Sequence, residues 1–434
     1  MKIVIIGAGH GGLTAAYGLA HGGHNVTVFE KKPKEKLSYD WHDDADPSVF
    51  KDLGIPMPPE GTYFRKREWS VNIPGTNEFM KLNQDPETLD ISFRRRPLAH
   101  LLADRAESAG AKILFGTPVE RLIADGARVS GVIAGGEKVR ADLVIDSSGV
   151  MSPFRESLAA GSYVSTCKPD ELFYNFRAFF EANEAAERNP VHTNRCYAKY
   201  MGKPGISWCI EDPDGSVNVL IGTAGGLKKA ELDEILTQLK KDNPIIGEKI
   251  LCGGIMTVIP VRYPSEKPMT DGYIAVGDAA FMTIPLIGSG IASSMRAGAM
   301  LADALNRDNS ADIKTLWRYH VRFMREIGAE HIAIDCVKRW LLGADVAELN
   351  AVFGLGVIEE KDFIALMTGG MLKLSLGDML KKAVAGRKNL PLMLKLGKML
   401  LKSMMSEKTG RKIPAEYDAE KAAAWGKKIR KYFE

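Results

Sequence analysis

Apolar positions recur along this chain in three patterns, and each predicts a different kind of element. Short apolar runs within residues 3–6, 142–146 and 272–276 suit strands buried on both faces of a parallel sheet. The first leads into a glycine-rich turn at 7–12, then an alanine- and leucine-rich stretch at 13–19 that predicts a helix, then a strand at 25–29 closed by Glu30. Further short strands are expected at 112–115, 117–124, 128–134 and 138–140. From 172 to 221 the pattern changes to alternation, which predicts an antiparallel sheet, with a returning strand at 254–261. Residues 65–73 and 78–82 read as a hairpin around Pro74-Gly75-Thr76-Asn77. Helical periodicity marks 98–108, 227–241, 291–305, 311–328 and 332–342, and helices dominate to the C-terminus.

The resulting division is an α/β domain in two parts, residues 1–164 and 262–328, with 65–90 contributing to the second domain. An antiparallel-sheet domain at 165–261 interrupts it, and a helical region at 329–434 follows. A chain of 434 residues exceeds one core, in keeping with several domains. Hydrophobic residues at 45% and charged ones at 26% describe a soluble globular protein, and a net charge of +4 is too small for a nucleic-acid binder. Five cysteines without close spacing exclude CxxC pairs and the usual zinc or iron–sulfur ligand sets, so no metal site is expected and a reducing cytoplasm fits. No apolar run reaches the roughly 18 residues of a spanning helix, and the N-terminus reads as a buried strand rather than a signal peptide.

One stretch changes that picture. Residues 363–406 hold one acid, Asp378, against Lys373, Lys381, Lys382, Arg387, Lys388, Lys395, Lys398 and Lys402, interleaved with Leu and Met. Two readings fit: helices lying peripherally on the inner face of a membrane, or helices closing the back of the first domain with a solvated basic face.

The candidate chemistry begins at the glycine turn. Gly7 permits the sharp turn, Gly9 lets the backbone approach a pyrophosphate, and Gly12 allows close helix-to-strand packing. The helix N-terminus attracts the anion and Glu30 accepts from a ribose, which together predict dinucleotide binding. His10 reads as a solvated turn residue. The segment 38–44 is either a solvated loop or a cover over a cofactor ring that carries a proton donor, His42 or Asp43. Arg94, Arg95 and Arg96 at a helix start oppose its dipole, so an anionic partner or a solvated basic turn is expected there. Asp278 stands at the end of a buried strand before a small-residue helix, where open α/β sheets bind ligands or where a helix is capped.

Three motifs in this order resemble the flavoproteins that include p-hydroxybenzoate hydroxylase-type enzymes and the geranylgeranyl reductases. They are the stretch from Gly7 to Glu30, then Asp146-Ser147-Ser148-Gly149 with Ser152 and Arg155, and Gly277-Asp278-Ala279-Ala280 followed by Pro285, Gly288 and Gly290. In the second motif Ser148 replaces the usual aspartate. The resemblance implies a Rossmann-like FAD-binding domain of the hydroxylase type with an inserted antiparallel substrate sheet. It also implies FAD held at Gly7, Gly9, Gly12, Glu30, Arg95 or Arg96, Val119, Gly149, Gly277, Asp278, Pro285, Gly288 and Gly290. Residues 277–300 are more similar to the geranylgeranyl reductase branch, whose PxxYxWxFP motif is only partly kept at 204–210. There Trp208 and Cys209 either line a pocket above the flavin or belong to the core.

The resemblance implies an FAD-dependent reductase of carbon–carbon double bonds in an isoprenoid or similar apolar lipid. Hydride would come from the flavin, a proton from His42, Asp43 or Cys209, and electrons from a separate donor such as NAD(P)H or ferredoxin. The sheet face expected to meet the lipid carries Phe173, Phe176, Phe179, Trp208 and Ile210. Two other readings share the motifs or the pocket: an aromatic-ring monooxygenase using NAD(P)H and O2, and a non-catalytic lipid-binding protein that retains flavin.

Overall fold

The computed structural model describes residues 1–434 apart from positions 86, 88, 160–164, 368–369 and 371–375. Lys373 of the basic stretch and the end of the expected first domain segment lie outside the described residues.

The apolar runs assemble into a six-stranded sheet in the order Met269–Thr270, Tyr273–Ala275, Leu143–Asp146, Lys2–Ile6, Asn25–Glu30, Lys112–Phe115. Its neighbours pair in parallel except for the short hairpin at one edge. Ile3, Val4 and Ile5 are fully buried, as an apolar run covered on both faces requires. Helix His10–His21 packs against helix Ile291–Asp308, joining sequence-distant halves of the domain. Glycines permit that approach: a Cβ on Gly298 would stand 2.2 Å from the Gly11 carbonyl oxygen.

A seven-stranded sheet forms the second layer, in the order Ile246–Pro260, Leu172–Ala182, Ser216–Ala224, Gly205–Glu211, Asn194–Ala198, Trp69–Asn72, Phe79–Lys81. The hairpin from the early part of the chain therefore belongs to this sheet, its first strand pairing in parallel with Asn194–Ala198. Helix Lys229–Asp242 covers one face. The edge strand begins at Ile246, ahead of the expected start at 254, and bends at Gly253 and Gly254, whose φ values are +76° and +73°. The paired glycines accommodate a register shift against Arg177 and Ala178.

Between the layers lies a small antiparallel sheet in the order His42–Ala45, Ile91–Arg94, Tyr63–Arg65. The segment 38–44 thus ends in a strand, with Trp41 and His42 buried, and the solvated-loop reading does not hold.

The C-terminal helices are built on one continuous run, Ile313–Phe323 through a π-turn at Met324–Gly328 into Ala329–Gly343. Helix Leu390–Arg411 packs along it, with the Ser403 hydroxyl donating to the Ala333 carbonyl at 2.9 Å. Helix Ala419–Arg430 returns to the first layer through the Arg430–Glu266 ion pair at 3.1 Å. Among the described residues, no helix is long and apolar enough to cross a membrane.

Candidate functional site

The three motifs converge where the strands Lys2–Ile6 and Leu143–Asp146 end, at the wall of a cavity of about 760 Å³. Gly7 turns with φ +85°, and Cβ atoms at Gly7 and Gly9 would stand 2.8 Å and 2.7 Å from Ser147 oxygens. The close approach at Gly9 is thus to the second motif. Gly12 does not line the cavity; its amide donates to the Ser147 hydroxyl at 3.2 Å. Buried Glu30 accepts the Ala8 and Lys32 amides, each at 2.8 Å, and still lines the cavity.

The second motif is organised by Asp146, fully buried, which accepts from the Ser148 amide at 2.9 Å, the Ser148 hydroxyl at 2.6 Å and the Tyr273 hydroxyl at 2.7 Å. The serine that replaces the family's aspartate is therefore spent inside the loop. Gly149 lines the cavity with φ +96°. Arg155 ties this motif to the third, donating to the Ala279 carbonyl at 3.0 Å with its guanidinium 4.7 Å from the Phe281 ring.

Gly277, Asp278, Pro285, Gly288 and Gly290 all line the cavity, as does Val119. Asp278 sits in the short 3-10 turn Gly277–Ala280 and takes the Thr283 hydroxyl at 2.9 Å, while Gly290 occupies the N-cap of helix Ile291–Asp308. The helix-cap reading of Asp278 is thereby set aside. Burial holds its carboxyl above the usual carboxylate range. A Cβ on Gly290 would crowd Thr283 Oγ1 at 2.9 Å, which explains a glycine there.

Of Arg95 and Arg96, between which the choice was left open, Arg95 alone lines the cavity. It pairs with Asp43 at 2.6 Å and lies 5.0 Å over the Tyr39 ring. Arg96 turns away and donates to the Leu37 carbonyl at 3.4 Å. His10, expected to be solvated, is buried at the cavity wall; burial and the nearby Arg95 charge push it down to about 3, so it is neutral.

The three proton-donor candidates fare differently. Asp43 lines the cavity, held in the Arg95 ion pair. His42 does not line it; its ring packs against Phe64 and Phe179, and burial followed by Arg94 lowers its pKa. Cys209 is fully buried in the apolar layer under helix Lys229–Asp242, and burial pushes its thiol up to about 12. Adjacent strand residues point to opposite faces, so Trp208 and Cys209 cannot share a pocket, and Trp208 is the one that lines it. The residue opposite Trp208 in the ladder is Cys196, which does line the cavity. Phe176 likewise leaves the expected lipid face for the helix-covered one, and Phe179 and Ile210 do not reach the cavity, whereas Phe173 does.

Sequence reasoning missed four polar residues in this region. Arg177, 4% exposed, lines the cavity 4.7 Å from the Trp208 ring. Lys66 pairs with Asp44 at 2.8 Å and lies 4.6 Å from the Trp69 ring. Asp90 lines the cavity near that pair, and Asp212 lies behind it. Period-two alternation from Phe173 would have found Arg177, because residues 173, 175 and 177 share a face. No local signal pointed to the other three.

From the motifs the cavity continues past Phe173 and Trp208 to Trp340, Phe353, Phe363 and Met399 in the C-terminal helices. Its near end suits a bound dinucleotide: helix His10–His21 begins with no side-chain cap and no acid in its first turn, and His10 Nε2 is buried without a partner. Among the described residues no group of three or more His, Cys, Asp or Glu side chains is arranged to hold a metal ion.

Comparison with known proteins agrees with this geometry. Residues 5–54 match the NAD(P)-binding Rossmann-like domain family and residues 75–322, more than half of the chain, match the FAD binding domain family. The chain is 27% identical to digeranylgeranylglycerophospholipid reductase 2 of Methanothermobacter thermautotrophicus, over 86% of this chain and 95% of that protein. It is 24% identical to digeranylgeranylglycerophospholipid reductase of Sulfolobus acidocaldarius, over 91% and 89% respectively. A geranylgeranyl bacteriochlorophyll reductase-like protein from Thermoplasma acidophilum shares the fold with a TM-score of 0.74 at 18% identity, covering 92% of this chain and 98% of that one. The FAD-dependent chondrochloren halogenase does so at 0.60 and 15%, covering 99% and 97%, so the fold alone does not select the reaction. The matches and the converging motifs give one conclusion: this chain belongs to the FAD binding domain family and is an FAD flavoprotein similar to the digeranylgeranylglycerophospholipid reductases.

Proposed function

We propose that the protein uses FAD to reduce carbon–carbon double bonds of an isoprenoid lipid. The observation that carries the reading is the continuity of the cavity, which runs from the glycine motifs past Phe173 and Trp208 to apolar side chains of the C-terminal helices. A long apolar chain fits such a wall better than a compact aromatic acid does, and the names of the reductase relatives point the same way. The residues that would hold FAD are Gly7, Gly9, Glu30, Arg95, Val119, Gly149, Asp278, Pro285, Gly288 and Gly290, with Gly12 acting through Ser147. When reduced, FAD supplies the hydride. Arg95, fixed by Asp43 and Tyr39, would orient an anionic group of the cofactor, and the apolar walls would exclude water from the reacting carbons. Electrons would come from a separate donor such as NAD(P)H or ferredoxin.

The lipid would enter from a membrane surface. Helix Leu390–Arg411 buries Leu392, Leu396 and Met399, yet leaves Leu390, Leu394, Leu401, Met404 and Met405 exposed, Leu394 at 66%. Leu380 and Val384 of helix Leu376–Ala385 are exposed as well. Of the expected lysine face, Lys381, Lys382 and Lys395 are engaged by Glu359, Asp362 and Glu348. Arg387, Lys388, Lys398 and Lys402 form no ion pair among the described residues and would meet anionic head groups.

The test is anaerobic. Chemically reduced protein should be reoxidised, as read by flavin absorbance, on mixing with a polyprenyl glycerolipid and not with p-hydroxybenzoate. Reoxidation that needs oxygen, with hydroxylation of the aromatic acid, would overturn the reading.

A further inference from the structure

Resting on that reading, we propose that Asp90 is the general acid of the reduction, its carboxyl O–H protonating the alkene carbon next to the one that takes the hydride. Geometry comes first. Asp90 precedes strand Ile91–Arg94 at the seam between the two layers and lines the cavity, together with Asp44 and Arg177. Of the other acids at the wall, Glu30 and Asp278 belong to the glycine motifs, Asp43 is committed to Arg95, and Asp44 is committed to the Lys66 ammonium at 2.8 Å. Lys66 is therefore spent on Asp44, although its backbone amide also donates to the Asp90 carbonyl at 3.0 Å.

The charged groups around Asp90 favour a retained proton. Asp44 and Asp46 face it with like charge, and Lys66 is the cation within reach. The Asp46 carboxylate is itself held by Arg296 at 3.2 Å, and Arg65 turns to the carbonyls of Glu87 and Leu89 at 3.1 Å. Burial, reinforced by Asp44, pushes the Asp90 carboxyl up to about 7.

Behind the wall Asp212, 5% exposed, has both carboxyl oxygens buried without a partner, and it too is pushed up to about 7. Asp44 Oδ1 and Arg177 Nε are also buried without partners. The Asp44–Lys66 pair lies within electrostatic reach of both raised carboxyls, and Arg177 adds the second cation. With Asp44 and Asp46 facing it and Lys66 the cation within reach, the partly buried Asp90 carboxyl holds a proton near neutrality, which is the state a general acid needs.

The step balances. The O–H bond of Asp90 breaks as the new C–H bond forms, the electron pair enters with the hydride that reduced FAD supplies, and the carboxylate left behind regains its proton from solvent.

The experiment uses the FAD-loaded full chain and its Asp90→Asn and Asp90→Glu variants. Infrared titration of the protein alone should show a carboxyl that loses its proton near pH 7 and is missing from D90N. Anaerobic reoxidation by polyprenyl glycerolipid should slow about a hundredfold or more in D90N. The rate in the unaltered protein should fall as pH rises through about 7, while D90E keeps both the rate, within about tenfold, and the fall. If the unaltered protein reduces the lipid and D90N does so equally fast, or no carboxyl titrates near neutrality, the assignment of Asp90 is wrong while the reductase reading stands. If the unaltered protein does not reduce the lipid at all, that reading fails and the assignment with it.

Discussion

Glu30 and Asp278 are carboxylates at the ends of two strands of the six-stranded sheet, each with acceptor capacity left over after its protein hydrogen bonds. Replacing either by alanine removes a hydrogen-bonding partner of a buried ligand hydroxyl, which costs on the order of 2 kcal/mol, or about thirtyfold in the FAD dissociation constant. Fluorescence titration of the apoprotein checks this, and unchanged affinity in both variants would contradict it. Asp212 offers a test in stability. Its carboxyl keeps a proton up to about pH 7 in the folded chain, whereas an aspartate in an unfolded chain loses it near 3.8. The folded state binds more protons between these values, so this group makes stability fall as pH rises from about 4 to about 7 and stay lower above. Asp212→Asn should lessen that fall, leaving the variant about 2 to 4 kcal/mol more stable at pH 8 and little changed at pH 4, as read by chemical denaturation. Glu30 and Asp278 were legible because each ends a buried strand beside glycines. Asp90 and Asp212 were not, because their chemistry depends on Asp44 and Lys66, which chain distance separates from them.

At the level of elements, alternation is what separated Cys196 from Cys209. The period of two tells which residues share a face, and Phe173, Asn175 and Arg177 follow it; which face meets the cavity is decided by helix Lys229–Asp242 covering the other. Helix Leu390–Arg411 shows the same ambiguity at helical period. Its five exposed apolar residues fall within an arc of about 100°, opposite Ser403 and Gly410, which pack on Ala333 and Ala329. The packing reading holds for the inner face, the membrane reading is proposed for the outer one, and truncation would destroy both. Paired substitutions separate them. Leu394→Glu with Leu401→Glu should keep FAD and thermal stability while losing most binding to anionic vesicles in a sedimentation assay. Ser403→Leu should leave vesicle binding in place and lower stability by about 1 to 3 kcal/mol through overpacking. Vesicle binding unaffected by the outer pair would contradict the membrane reading.

Across the whole molecule, the cavity links the two layers and the C-terminal helices into one path, from His10 and Asp278 past Trp208 to Phe363 and Met399. The near end was readable because glycine turns, strand ends and acids occur in a fixed local order. The far end was not, since Trp340, Phe353, Phe363 and Met399 come from separate helices with no motif, and only their packing brings them to one wall. The long helices up to Gly343 and most strands of both large sheets were nonetheless recoverable from apolar periodicity, whereas the start of the bent edge strand Ile246–Pro260, the short strand Met269–Thr270 and the bounds of the later helices were not. The central claim, that this path delivers an isoprenoid chain to FAD for reduction, is tested most directly by the mass of the product. Anaerobic single turnover of the reduced protein with a polyprenyl glycerolipid should yield lipid carrying two added hydrogens per double bond reduced, both of them deuterium when the protein is reduced and works in deuterated water, because the nitrogen-bound hydrogen of reduced flavin exchanges with solvent. Lipid recovered at its original mass while the flavin remains reduced would contradict the account.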